Sequence, residues 1–323
     1  MKLTDKIYFY EGDYTSPTQI IYRGIGSSNF MVVKGEKQVM IDSGTNSGPH
    51  KKRIITQTSA DGIRLGETSE ILLSHTHPDH ILMAKKICRR RPVSIMLHEE
   101  SELMARRSIY QFEAHYNFPD FILREVFDKP IWIARAVVKA FFDFEYLNIQ
   151  HLLHDFEKVD IGREATIIPL RAHFPGHIGV LFNSEKILYS ADLFDFRVSE
   201  GGIINNALSS YTGIFTDLER VYRLDLDTIV PGHGRVIKGA SMVKVMLDRV
   251  YTGTENYIKG ILTAIKKSGR GKSLREITAS LFDNSNAYNI FSRRVIVYNT
   301  LMHMKTEGMA DFTIRDGIAF WRG

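Results

Sequence analysis

The stretch ILLSHTHPDH, Ile71 to His80, constrains this chain more than any other. A short apolar run is followed at once by three histidines and one aspartate within six positions. Such a run, bounded by breakers, reads as a buried strand, and its exit is where a rigid scaffold can aim polar side chains. Alternate side chains of an extended segment share a face, so His75, His77 and Asp79 project the same way. His80 then falls at the start of the helix expected over HILMAKKICRRR and reaches back from its first turn. Neutral imidazole and carboxylate are common ligands of zinc and similar divalent ions. A catalytic ion usually takes about three protein ligands. Four candidates in one stretch exceed that and point to two ions.

A second ion needs ligands from elsewhere, and three more strand exits offer them. FPGHIG places His177 in a Pro-Gly turn after the strand TIIPLRAH. LYSAD places Asp192 at the end of an apolar strand, and IVPGHG places His233 in a Gly-flanked loop after another. An accidental polar loop would not be echoed in this way. His173, just ahead of the Pro-Gly-His turn, is read first as structural, with hydrogen bonding near the metals as the alternative. Asp42, in MIDSGT, either orients a ligating imidazole or ties its own loop. His98 reads as a strand-end or supporting residue, while His50, His115, His151, His154 and His303 lack supporting spacing and default to surface or core.

The remaining pattern is α+β. KIYFYEG, SNFMVVKG and KQVMIDSG read as strands, with Gly35-Glu36-Lys37 as a turn. PVSIMLH, ATIIPLRAH, IGVLFNS, KILYSAD and DTIVPGHG read likewise. Between these two groups, about residues 99–155 form an aromatic-rich, mostly helical insertion broken at Pro119 and Pro130. The pattern changes again after residue 240. A long helix over MVKVMLDRVYTGTENYIKGILTAIKKSG, a Ser273–Glu276 capping box, a further helix and a hairpin about Arg315-Asp316-Gly317 suggest a winged-helix-like unit. The expected division is therefore 1–240 and 241–323.

The ordered set HTHPDH, PGHIG, SAD and PGHG resembles the metallo-β-lactamase superfamily, whose signature is H-x-H-x-D-H followed by His, Asp and His. NFMVVKGEKQVMIDSGT is similar to its opening hairpin and Asp-x-Gly turn. The resemblance spans about residues 6–238 and implies a four-layer αβ/βα sandwich with the metals at one edge. It implies that His75, His77 and His177 bind one ion, that Asp79, His80 and His233 bind the second, and that Asp192 bridges them. The implied activity is hydrolysis by a metal-bridging hydroxide, with catalysis depending on Asp79. Zinc is the first expectation for both ions, with iron or manganese as alternatives. Phe174 stands where many members have Thr, and Ala191 where Gly commonly precedes the bridging aspartate.

The metal ligands state a mechanism and not a substrate. A small-molecule thioester, ester or lactone, as in the glyoxalase II and lactonase branches, is the leading expectation. The aromatic insertion would then roof the site, or else pack on the sandwich or in a homodimer. The alternative is an endoribonuclease acting on single-stranded RNA, as in relatives with a winged-helix-like tail. From residue 240 onward, 13 Lys and Arg face 7 Asp and Glu, although the whole chain is only +5. Lys266, Lys267, Arg270, Lys272, Arg293 and Arg294 would be the phosphate-tracking residues. One cysteine excludes an internal disulfide framework and suggests a reducing cytoplasm; Cys88 reads as a small buried hydrophobe. The charges within PIWIARAVVKAFFDFEYL exclude it as a membrane span.

Overall fold

The computed structural model describes residues 1–13, 27–45, 48–106, 119–126, 132, 147–196, 211–266, 269–282 and 287–323. The strand patterns at the two ends of the main region fold into two six-stranded sheets. The first contains β1 (Ile7–Tyr10), β2 (Phe30–Lys34), β3 (Gln38–Ile41), β4 (Glu70–Leu73), β5 (Ser94–His98) and β6 (His151–Leu153), hydrogen-bonded in that order. β1 to β3 run antiparallel, and β3 to β6 pair in parallel. Lys34 faces Gln38 across the expected turn. β6 corrects the sequence reading, because His151–Leu153 belongs to this sheet and not to a helical insertion reaching residue 155. Three residues are too few for a period-2 signal; the pairing with β5 decides.

The second sheet runs β12-β11-β10-β9-β8-β7, from β12 (Ile237–Lys238) through β11 (Thr228–Gly234), β10 (Ile187–Phe196), β9 (Ile178–Phe182) and β8 (Glu164–Pro169) to β7 (Lys158–Asp160). The sheets face one another across a core that includes Ile7, Met31, Val33, Ile41, Val180 and Tyr189. Alternate residues of the same strands point outward. On the first sheet, Tyr8, Val32 and Met40 pack with Ile54 of α1 (Gly48–Ala60) and Met83 and Ala84 of α2 (Pro78–Cys88). On the second, Leu188 and Ile229 pack with Ile214 and Leu218 of α5 (Tyr211–Tyr222) and Val243 and Met246 of α6 (Ala240–Lys266). The expected helix–sheet–sheet–helix sandwich is what these faces build.

Of the insertion, α3 (Glu102–Arg106) and α4 (Asp120–Val126) are described; 107–118, 127–131 and 133–146, His115 among them, lie outside the described residues. Ile122 and Val126 of α4 pack against the second half of α6, α7 (Leu274–Leu281), α8 (Ala287–Thr306) and the hairpin β13 (Asp311–Arg315) and β14 (Ile318–Arg322), around buried Trp321. The described helix of the insertion thus leans on the C-terminal elements. α6 belongs to two cores, its first half to the sandwich and its second half to this cluster. The Ser273–Glu276 capping box is present, and the hairpin turns on Asp316 and Gly317, both at positive φ. Cys88 is half-buried beside the α2 cluster. Among the described residues no helix is long and apolar enough to cross a membrane.

Candidate metal centre

β4 ends at Leu73, and the chain leaves the sheet through Ser74-His75-Thr76-His77 before Pro78 opens α2. Proline at the first helical position suits a helix start, since its missing N–H is an orphan there anyway. His77 takes the extended conformation of a cap residue, and Asp79 lies in the first turn, where the helix dipole favours an anion. β10 delivers Asp192 beside two register shifts against β11, with Ala191 at φ 42°. Irregularities of this kind re-aim a side chain. For a non-glycine residue such a backbone costs on the order of 1 kcal/mol.

These exits bring two groups of ligand-type side chains together. In the first, His75 Nε2 lies 2.8 Å from His77 Nδ1, and His173 Nε2 lies 3.1 Å from the same atom. Asp192 Oδ2 is 3.6 Å from His173 Nε2 and 3.9 Å from His75 Nε2. In the second, His233 Nε2 is 3.1 Å from Asp79 Oδ2, and His80 Nε2 is 3.9 Å from it. Asp192 reaches this group as well, Oδ1 at 3.1 Å from His80 Nε2 and Oδ2 at 3.4 Å from His233 Nε2. Its carboxylate therefore stands between the two groups.

The tautomers follow from the partners. Asp42, fully buried, accepts hydrogen bonds from the Ser74 amide (2.7 Å), the Ser74 hydroxyl (2.7 Å), the Tyr189 hydroxyl (2.6 Å) and His80 Nδ1 (2.7 Å). Because Ser74 gives its proton to Asp42, His75 Nδ1 must donate to Ser74 Oγ at 2.9 Å. One carboxylate thereby turns the Nε2 lone pairs of both His75 and His80 inward, one for each group. Both readings of Asp42 hold: it orients imidazoles and ties its loop. Its φ of 55° is one that aspartate tolerates better than most residues.

A cation is the species this arrangement fits. His80 Nε2 and Asp192 Oδ1 are buried and make no hydrogen bond, although they face one another at 3.1 Å. A lone pair aimed at a carboxylate oxygen is repulsive unless a proton or a metal lies between them. The electrostatics agree. Burial opposes the charged form of His233, but Asp192 and Asp79 outweigh it and lift its pKa to about 9. Burial likewise opposes a charge on His80, and Asp192, Asp42 and Asp79 raise it well above the ordinary imidazole value. Burial would push Asp192 up, yet His80 and His233 hold it well below the usual carboxylate range. His75 is driven well below its ordinary value by burial and then by His80 and His77, so it stays neutral.

His177 lies beside the first group, its ring centroid 5.0 Å from that of His75. It gives Nδ1 to the Leu170 carbonyl at 2.5 Å, and its Nε2 lies 3.1 Å from the Asp192 amide. A backbone bond at one ring nitrogen is what commonly orients a metal-ligating imidazole, and burial followed by the neighbouring His173 lowers its pKa to about 3, so the ring stays neutral. His173, four positions earlier, also points at His75 and His77. The structure gathers His75, His77 and Asp192 in the first group and Asp79, His80 and His233 in the second.

Sequence reasoning missed several supporting residues. Asn29 donates to the carbonyls of Pro231 and Gly234, both at 2.8 Å, and so grips the loop carrying His233. Ser43 Oγ donates to the His80 carbonyl at 2.7 Å. Gly232 leaves room for the carboxylate, since a Cβ there would sit 2.0 Å from Asp192 Oδ1. A polar residue at a strand margin was the only signal for Asn29. Phe174, at the position of the usual Thr, is buried with its ring centroid 4.8 Å from that of His77. His98 pairs with Asp155 at 3.1 Å at the end of β5. His50 is buried, whereas His151 and His154 are exposed and pair with Glu157 and Glu99.

A two-sheet sandwich carrying clustered histidines and a shared carboxylate at its strand exits defines a metal-dependent hydrolase. Residues 23–233 match the model of the Metallo-beta-lactamase superfamily, and the chain belongs to that family. The metallo-beta-lactamase family protein TTHA1429 from Thermus thermophilus superposes with a TM-score of 0.76, covering 100% of both chains at 16% identity. A beta-lactamase domain protein from Burkholderia ambifaria gives 0.72 at 15% identity, over 100% of this chain and 94% of that one. In sequence, Uncharacterized protein ML0493 of Mycobacterium leprae is 24% identical over 208 residues, 62% of this chain and 82% of that protein.

Proposed function

We propose that the chain is a two-metal hydrolase of a small carbonyl substrate, an ester, thioester or lactone. In this reading His75, His77 and His177, with His173 beside them, hold one divalent ion, Asp79, His80 and His233 hold the other, and Asp192 serves both. The observation that carries it is the Asp192 carboxylate between the two groups, with one oxygen orphaned against an orphaned imidazole nitrogen. Two bound ions would supply Lewis acidity and lower the pKa of a water held there towards about 7. The donors are imidazole and carboxylate, which suit zinc, iron or manganese; zinc is the form proposed here.

The chain's own residues divide the remaining work. Asp42 and Ser74 hold the Nδ1 protons of His80 and His75, which turns both Nε2 atoms into the groups. Phe174 shields the His75 and His77 rings from beneath. The His75 and His80 side chains are fully buried, but His77 and Asp79 are part-exposed, Asp79 keeping 24% of its side-chain exposure. Substrate in this reading arrives over His77 and Asp79, where the Asp79 carboxylate can also accept a proton or orient a nucleophile.

A small substrate is favoured over RNA by what the C-terminal cations do. Arg270 pairs with Glu276, Arg293 lies over the Phe282 ring, and Arg294 donates to the Val126 carbonyl. These three have intramolecular roles, although Arg270 is 74% exposed; Lys266 is exposed and Lys272 half-buried, and Lys267 lies outside the described residues. The three-helix and hairpin C-terminal elements are proposed to be a winged-helix-like unit that supports α4. The test is zinc-loaded protein assayed against thioester, ester and lactone panels and against single-stranded RNA, beside Asp79→Asn. Turnover of a carbonyl substrate that Asp79→Asn abolishes supports the reading. Asp79-dependent RNA cleavage without carbonyl turnover overturns it.

A further inference from the structure

The turn Glu99–Ser101, which opens the insertion after β5, lies against the loop from Leu170 to His177. Gly176 allows the close approach: at its φ of 69°, a Cβ would sit 2.4 Å from Ser101 Oγ and 2.8 Å from the Ser101 amide nitrogen. Ser101 Oγ donates to the Pro175 carbonyl at 2.9 Å, and the Gly176 amide donates to Glu100 Oε2 at 3.1 Å. The same carboxylate accepts both prongs of Arg171, Nε at 2.7 Å and Nη2 at 2.9 Å; this planar fork is the donor geometry that a carboxylate matches. Arg171 holds the Glu100 carboxyl below its ordinary pKa, so the charge is present at neutral pH. Arg171 and Gly176 are the two shoulders of the loop, and one carboxylate bonds to both.

Glu100 is itself aimed. Its amide donates to His98 Nδ1 at 3.3 Å, which leaves the proton on His98 Nε2, 3.1 Å from Asp155 Oδ1. Asp155 follows β6, the strand on which the insertion returns to the sheet, and it accepts Arg171 Nη2 at 2.9 Å. Both feet of the insertion therefore meet on Arg171. The Ala172 amide is held independently, by Asp217 Oδ2 of α5 at 2.7 Å. Between Gly176 and β9 stands His177, whose Nδ1 is tied to the Leu170 carbonyl. With the ring anchored near one shoulder and its backbone entering from the other, the span between the shoulders decides where Nε2 falls.

We infer that Glu100 is a positioning residue for His177, and that through it the first turn of the insertion sets the affinity of the first ion's site. The inference rests on the proposed role of His177 as a ligand of that ion. Glu100 acts through the Gly176 amide and the Arg171 side chain.

The experiment is a cobalt titration of metal-free full-length protein, followed by visible absorption, for wild type, His177→Ala, Glu100→Ala and Glu100→Gln. Asp217 still holds Ala172 in these variants. Glutamine keeps an oxygen for the Gly176 amide and Arg171 Nε, so it serves as the conservative rescue. In Glu100→Ala the equivalent that His177→Ala loses should bind about three- to tenfold more weakly, less than for a direct partner of a ligand because the Glu100 side chain is 43% exposed. Its cobalt spectrum should change, and Glu100→Gln should recover most of both. A role confined to packing would lower Tm and leave affinity and spectrum unchanged. Wild-type cobalt binding by folded Glu100→Ala, alongside the loss in His177→Ala, overturns the inference and keeps His177 as a ligand. Equal weakening of both equivalents overturns it as well. Two full equivalents in His177→Ala remove the ligand reading first, and the inference falls with it. Should Glu100→Ala not fold, Glu100→Asp, one methylene shorter, decides: weakening of that one equivalent supports the inference, and wild-type binding with a wild-type spectrum overturns it.

Discussion

Replacing Asp42 by asparagine tests how both metal groups are oriented. The carboxylate presents one oxygen to the Ser74 amide and the other to Ser74 Oγ, Tyr189 and His80 Nδ1. An amide cannot serve both sides. With its NH2 on the single-bond side, it confronts the Ser74 N–H, donor against donor. With its NH2 on the other side, it confronts three donors, and His80 must change tautomer and turn an N–H into the site. The cheaper orientation loses one hydrogen bond to a charged group, worth roughly 1.5–3 kcal/mol, and weakens the three that remain. We expect a destabilisation of about 3 kcal/mol and, at roughly 2–4 °C per kcal/mol for a large domain, a Tm lower by about 6–12 °C. Metal affinity should fall about 10- to 100-fold, or roughly 1.4–2.7 kcal/mol. The loss should be larger at the group containing His80, which touches Asp42 directly, than at that of His75, which is reached through Ser74. Ser74→Ala should reverse that order. Thermal denaturation of metal-free protein and a two-site metal titration read both effects. Wild-type melting and wild-type affinity at both sites in Asp42→Asn would refute the reasoning.

Three further perturbations give separate readouts. Gly232→Ala should abolish binding of the second equivalent of metal in folded protein, because the new methyl would overlap Asp192 Oδ1; elemental analysis showing two metals per chain contradicts this. His177→Ala should lower Tm by the equivalent of about 1–3 kcal/mol for the orphaned Leu170 carbonyl and Asp192 amide and leave one metal per chain by elemental analysis, whereas two per chain would contradict the assignment. Metal uptake should also release protons. In metal-free protein the His233 imidazolium, with its pKa raised to about 9 by Asp192 and Asp79 against burial, adds stability that is complete below about pH 6.5 and lost as pH rises through about 9. An ion displaces that proton and the one that His80, raised likewise, holds, so apparent affinity should climb at least about tenfold per pH unit up to about pH 9. Titration at pH 6.5 and 8.0 in buffers of different ionisation enthalpy measures it, and a flat profile counts against the assignment.

The local part of the centre was legible in the chain itself. His75, His77, Asp79 and His80 follow one strand within a few residues, and the alternation of an extended segment followed by a helix start suffices to group them. Asp192 and His233 could be found because each closes an apolar run that can only be a strand. Strand patterns on either side of an insertion gave an α+β chain, and the family resemblance of the motifs implied the sandwich, although β6, with three residues, was too short to leave a pattern.

The chain's own pattern thus tells which strand exits carry ligand-type residues and what kind of chemistry gathers there. That His173 joins His177 beside His75 came from the tertiary structure. Both lie in one loop four residues apart, and neither composition nor spacing tells that both rings reach the same group. That depends on Asp217 and Glu100, which reach the loop from a distant helix and from the end of β5. Asn29 and Tyr189 likewise reach the site across separations of 202 and 147 residues. Side-chain direction is set by such long-range hydrogen bonds in a low-dielectric interior, where an unpaired group is expensive, and a one-dimensional pattern carries no record of them.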